Sequence, residues 1–279
     1  MSRVARVNGI ALFIGVLAGS AVSQAAALTA AENSQSNSTQ PMEEVVVESL
    51  RHPEARSYAR LVQGTRVFNQ YRQLAPRASL RFKVYPRKAG VDMHNLKLVI
   101  VSRSVRIPVE LDSELRFEVP IDQTALQENA DLIYNRRDGS LGWRTDVRTP
   151  GIPENMRRLG DLRLECRVEV MGAHVARMFD PLGFLPRSGD PCANPRMAYH
   201  FIADRPIFNV ILIYGKRSAS LSAEKLYGND WDEFIIRFLD WPLLRDRVFL
   251  APLRDTTWPD DTLLEFDYME DAPTLEKAP

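Results

Sequence analysis

The stretch that decides how this chain is read is "DLRLECRVEV", residues 161–170. Leu162, Leu164, Cys166, Val168 and Val170 occupy every even position, and a charged residue occupies every odd one. Strict alternation over several residues is the pattern of a half-buried β-strand. The stretch therefore predicts a strand with those five side chains in the core and its acids and arginines in water. The same period runs upstream through "LRFKVY" (80–85), "LKLVIVS" (96–102), "VRIPVEL" (105–111) and "LRFEVP" (115–120). An Asp-Gly pair at 138–139 between short strand candidates predicts a hairpin. Closely spaced strands separated by turn residues point to antiparallel sheets rather than βαβ units.

The same stretch holds one of the two cysteines. The other, Cys192, lies in "SGDPCANP" (188–195). A structural zinc site needs four ligands at characteristic spacing, and two thiols with scattered histidines at 52, 94, 174 and 200 do not supply them. There is no C-x-x-C redox motif. A nucleophilic Cys192 with His200 as base lacks an orienting third group. An even pair in an oxidising compartment reads instead as a disulfide, with Cys166 and Cys192 tying a proline-rich loop to a core strand.

The oxidising compartment is read from the N-terminus, "MSRVARVNGIALFIGVLAGSAVSQAAALTA". Arg3 and Arg6 precede an apolar core and then small residues, the three-part pattern of a secretory signal peptide, with cleavage expected after Ala25. The apolar core is shorter than the roughly 20 residues of a membrane span, although a retained anchor or a buried helix fits the same residues. No cysteine follows it, so no lipoprotein is expected. Removal of Arg3 and Arg6 leaves 34 basic and 36 acidic residues, a net of −2. The organisation expected is a signal peptide (1–25), a polar linker (26–42), a helix plus sandwich-like region (43–170), a proline-rich connection (171–198), a smaller β-rich half (199–271) and a frayed tail (272–279). The class is mainly β (α+β), an antiparallel sandwich-like region with an N-terminal helix and a second, smaller β/α half. That helix is expected over Glu54–Leu74, where Tyr58, Leu61, Val62, Phe68, Tyr71 and Leu74 recur at three- and four-residue steps. Further helical pieces are expected at 171–179, 222–227 and 230–239.

"MEEVVVESLR" (42–51) resembles, at Glu43, Glu44, Val45, Val46 and Val47, the TonB box of outer-membrane receptors. That resemblance implies docking by strand addition through Val45, Val46 and Val47. The chain is too short for the plug and barrel of those receptors, and an edge strand of the fold explains the same residues. With its signal peptide, linker, this stretch, "RRLGDLRLECRV" and "WPDDTLLEFDY", the chain also resembles uncharacterised exported proteins of Gram-negative bacteria. That likeness names no activity.

Charge is unevenly placed. Residues 51–103 hold twelve Lys or Arg against Glu54 and Asp92, a net of +10. Residues 255–279 hold eight acids against Lys277, a net of −7. One reading makes Arg56, Arg60, Arg66, Arg72, Arg81 and Lys83 a surface for an anionic envelope polymer or lipid. The other has the acidic stretch around Asp260, Asp261, Glu265, Asp267 and Glu270 neutralise them. Arg81 and Lys83 alternate with core residues and are expected in solvent.

The sequence lacks G-x-S-x-G, Walker, G-x-G-x-x-G and H-E-x-x-H patterns. "GNDWDEF" (228–234) fails the EF-hand spacing, with Ile235 and Trp241 where Gly and Glu are required. Asp260-Asp261 reads as a turn. No cofactor, metal or nucleic-acid partner is expected, and no transmembrane span once the signal is removed. The expectation is a periplasmic or secreted, non-catalytic protein that binds an envelope protein, polymer or other ligand. The alternative is a periplasmic hydrolase assembled from distant acids such as Asp190 or Asp261.

Overall fold

The computed structural model describes residues 52–173, 190–193, 198–229 and 242–269, all within one compact unit that runs from Val46 to Pro279. The signal peptide with Ala25, the linker, Val45 to Val47, the 230–239 helix, the tail and most of the proline-rich connection lie outside the described residues.

The described chain is α+β, with antiparallel sheets predominating. The first sheet has the order β1-β6-β3-β4, formed by Pro53–Ser57 (β1), Leu98–Val101 (β3), Arg106–Val109 (β4) and Asp131–Arg137 (β6). The second, β5-β2-β7, is built from Ser79–Pro86 (β2), Arg116–Phe117 (β5) and Leu141–Arg148 (β7). β2 and β7 pair over their full length, from Ser79 opposite Arg148 to Pro86 opposite Leu141. Leu98, Ile100, Leu132 and Tyr134 of the first sheet share one core with Phe82, Phe117, Leu141 and Trp143 of the second. Helix α1 (Tyr58–Gln70) adds Tyr58, Leu61 and Val62 to it, and the short α2 (Gln123–Gln127) adds Ala125.

The expected helix start at Glu54 is corrected, because residues 53–57 are strand. Glu54 is 1% exposed. Its carboxylate accepts from Gly139 N–H at 2.6 Å and pairs with Arg56, which fixes this segment at the edge of β6. The Asp138-Gly139 turn exists, with Gly139 at φ +72, yet β6 and β7 do not pair. The chain changes sheets there, since β6 bonds β1 and β3 while β7 bonds β2. The Gly64 that weakens α1 in isolation has a packing role. A Cβ on Gly172 would lie 2.5 Å from Gly64 Cα, so the two segments meet backbone to backbone.

The strand expected at 161–170 is a helix, α3 (Leu159–Arg167), continued by a π-helical turn over Val168–Ala173. Three stripes of period four lie inside the apparent period of two. Leu162, Cys166 and Val170 face one core, and Leu164 and Val168 face another with Val67, Phe68 and Val147. Asp161, Glu165 and Glu169 are also buried. Burial on several sides erases the polar face by which an amphipathic helix is recognised.

The first of these cores belongs to a third sheet, β11-β10-β13-β8. Its strands are Met156–Arg158 (β8), Ile207–Tyr214 (β10), Arg217–Ser220 (β11) and Leu263–Tyr268 (β13). Phe201–Ile202 (β9) pairs with Val248–Phe249 (β12) beside it. Val210, Leu212, Leu264, Phe266, Phe201 and Phe249 pack there against Leu162 and Cys166. The Gly215-Lys216 turn closes the β10–β11 hairpin, with Gly215 at φ +58. A disulfide joins Cys166 to Cys192, with Cα atoms 6.1 Å apart, so the loop is tied to a core helix rather than a strand. No described helix is long and apolar enough to cross a membrane.

Candidate functional site: a charged cleft

β2 occupies one edge of β7, and the acidic stripe of α3 serves the other. Thr149 N–H donates to Asp161 at 2.8 Å, Val147 N–H to Glu165 at 3.1 Å, and Thr145 N–H to Glu169 at 3.0 Å. The Thr149 and Thr145 hydroxyls donate to the same carboxylates at 2.7 and 2.5 Å. Buried backbone donors need partners, and here carboxylates take the place of a fourth strand.

The neighbouring side chains of β7 and its surroundings form a closed ion-pair network. Asp146 accepts from Arg116 Nε at 2.7 Å and Arg148 Nε at 2.9 Å. Asp204, in the turn after β9, accepts from Lys83 at 2.5 Å, Arg148 at 2.7 Å and Arg116 at 3.2 Å. Arg157 on β8 donates to Glu165 at 2.7 Å and to the Val147 carbonyl at 3.0 Å. The network thus joins β2, β5, β7, β8 and α3 to the Asp204 turn.

These neighbours set the ionisation of the acids. Burial opposes charge on Asp204, but Arg148 and then Lys83 hold its carboxyl well below the ordinary range. Burial is likewise outweighed at Asp146, which Arg148, Arg157 and Arg116 hold low. Glu165 behaves oppositely: burial, with Asp146 adding to it, outweighs Arg157 and pushes its carboxyl up to about 7. Burial also lowers the Lys83 ammonium despite Asp204.

A cleft of about 350 Å³ opens above this network. Arg81, Arg116, Arg148, Arg157, Asp112, Glu114, Asp161 and Asp204 line it, with the 149–154 loop and Met156. Its size falls at the low end of small-molecule sites.

The sequence-predicted basic residues differ in their surroundings. Arg56 pairs with Glu54, and Arg81 with Asp112 at 2.9 Å. Lys83 is not in solvent; its side chain is 13% exposed and bound to Asp204. It alternates with core residues as expected, but the face it occupies is covered by the Asp204 turn. Arg72 stacks over Phe68 at 5.2 Å. Arg60 and Arg66 are exposed on α1, about 120° apart around the helix axis. Of the acids expected to neutralise them, Asp260 pairs with Arg163 at 2.6 Å and Asp261 with Arg158 at 2.7 Å, while Glu270 lies outside the described residues. Asp190, named as a hydrolase acid, pairs with Arg167.

Sequence reasoning missed Asp146, Arg148, Arg116, Asp204, Arg157 and Glu165. One signal was present. In 161–170 the acids stand at 161, 165 and 169 and the arginines at 163 and 167, a period of four in charge sign that a strand does not require. No family model, curated protein or solved structure matches this chain.

Proposed function

We propose that this chain is an exported, non-catalytic binding protein whose ligand sits in the cleft over Asp146 and Asp204. The carrying observation is that Asp204, Arg116 and Arg148, which line the cleft, are held in mutual ion pairs, with Asp146 behind the lining binding both arginines. General acid–base catalysis needs a group that exchanges its proton near the working pH. Asp146 and Asp204 are held ionised, and Arg148 is held cationic by the same two acids. Glu165, poised near neutrality, is not among the residues lining the cleft. Fixed, preorganised charges of this kind bind and orient.

The signal-like N-terminus and the Cys166–Cys192 bridge support an oxidising destination, periplasmic or secreted. The core shared by the first two sheets supports reading them as a sandwich with α1 at its side. The two acids suggested for a hydrolase, Asp190 and Asp261, are each tied to an arginine.

The test is a melting experiment with the small-molecule fraction of a periplasmic extract. The fraction is expected to raise the melting temperature of the mature protein. Ser113→Trp, which fills the cleft from an exposed lining position, should remove that rise. No rise, or an equal rise in the variant, overturns the reading.

A further inference from the structure

We propose that the cleft takes a small zwitterion, an amino acid or short peptide with a free ammonium and a free carboxylate. This rests on the binding-protein reading above. Two ion pairs are partly open at the cleft: Arg81–Asp112, at 31% and 37% side-chain exposure, and Arg148–Asp204, at 19% and 24%. Each presents a cation and an anion within 3 Å of one another. The whole lining holds four arginines and five acids.

A simple anion entering here meets Asp204 and Asp112 beside its arginines, and a simple cation meets Arg148 and Arg81 beside its acids. Either one leaves like charges facing each other as water is displaced. A ligand carrying both charges a few bonds apart lies head to tail against an open ion pair and satisfies both partners. No aromatic side chain is among the lining residues, so a stacking platform for a base or sugar ring is not provided. The volume admits a small molecule rather than a folded partner.

The probes are a pool of X-Ala dipeptides, the same pool N-acetylated, the same pool C-amidated, and inorganic phosphate, each titrated onto the mature, oxidised protein by calorimetry and melting. The free dipeptides are expected to bind and raise the melting temperature. Blocking either end should weaken binding at least tenfold, and phosphate should give no shift. Arg81→Met should weaken the free pool at least tenfold, while Arg81→Lys recovers part of it. Binding of phosphate, or undiminished binding of either blocked pool, overturns the zwitterion. If the periplasmic fraction binds but the dipeptides do not, the zwitterion fails and the binding-protein reading stands. If neither binds, both fail.

Discussion

Glu165 of α3 accepts the backbone N–H of Val147 in β7 at 3.1 Å and, with the same oxygen, a guanidinium N–H of Arg157 at 2.7 Å. The contact belongs to a repeating match. Four residues of helix rise about 6 Å, and two residues of strand span about 6.6 Å. Carboxylates at 161, 165 and 169 therefore meet donors at 149, 147 and 145 in reverse order, as antiparallel elements must. Glu165→Ala removes the centre of this ladder and leaves the Val147 N–H without its acceptor, while Arg157 keeps Asp146 at 3.8 Å. Loss of one partner of a buried hydrogen bond destabilises by about 1–3 kcal/mol. Glu165→Gln, which keeps an acceptor for Val147, should lose less. Chemical denaturation of the three proteins measures the difference.

The ionisation of the same residue predicts a pH dependence. Glu165 binds its proton more tightly in the folded chain, near pH 7, than its ordinary value of 4.5. Between those values the folded state holds the extra proton. Stability from this group is full below about 4.5 and is lost as the pH rises through about 7. Asp204 works in the opposite sense. Its carboxyl is depressed from 3.8, so its contribution is present above that value and is lost as acidification protonates it. Melting curves from pH 4.5 to 7.5 should flatten in Glu165→Gln. Curves below pH 4 should flatten in Asp204→Asn. An unchanged pH profile in Glu165→Gln contradicts the assignment.

Much of the sheet content was legible because β2, β10 and β13 bury one face and leave the other partly open, so local alternation reports their environment directly. The disulfide was legible from the number of cysteines and the signal-like N-terminus. Helix α3 was not, because it is enclosed on several sides and its acids are buried by pairing with backbone donors of another element. The charged network is non-local, its members drawn from residues 83, 116, 146, 148, 157, 165 and 204, and no window of sequence brings them together. Lys83 shows the limit most plainly. Its strand and its alternation were readable, but the turn that covers it comes 121 positions later.

The disulfide closes a span of 26 residues between α3 and the loop. In the chain-entropy model this stabilises by about 3.5 kcal/mol. The oxidised protein should show no free thiol after denaturation, and reduction should lower its melting temperature. Cys192→Ser should melt at the temperature of the reduced protein and be insensitive to reductant. Two titrating thiols in freshly isolated protein contradict the bridge.

The basic stretch supplies the final contrast, between residues equal in charge and unequal in environment. Arg60 and Arg66 are exposed on α1. Interactions of exposed charges are weakened by water and salt and contribute about 0–1 kcal/mol. The double change of Arg60 and Arg66 to Glu should therefore leave the denaturation midpoint nearly where it was. Lys83 sits between Asp204 and the aromatic ring of Tyr85, with its ammonium 5.8 Å from the ring centroid. Lys83→Met removes a cation from Asp204 but leaves Arg148 and Arg116 on the same carboxylate, so the loss should be about 1–3 kcal/mol. Lys83→Glu sets two carboxylates against each other in a closed space and should be the most damaging of the three. If the double arginine reversal destabilises more than Lys83→Glu, the described division between exposed and interior basic residues is wrong. Added salt separates them further, because screening acts on exposed charges much more than on buried pairs. The midpoint difference between wild type and Lys83→Met should persist at high salt, while any small effect at Arg60 and Arg66 should vanish.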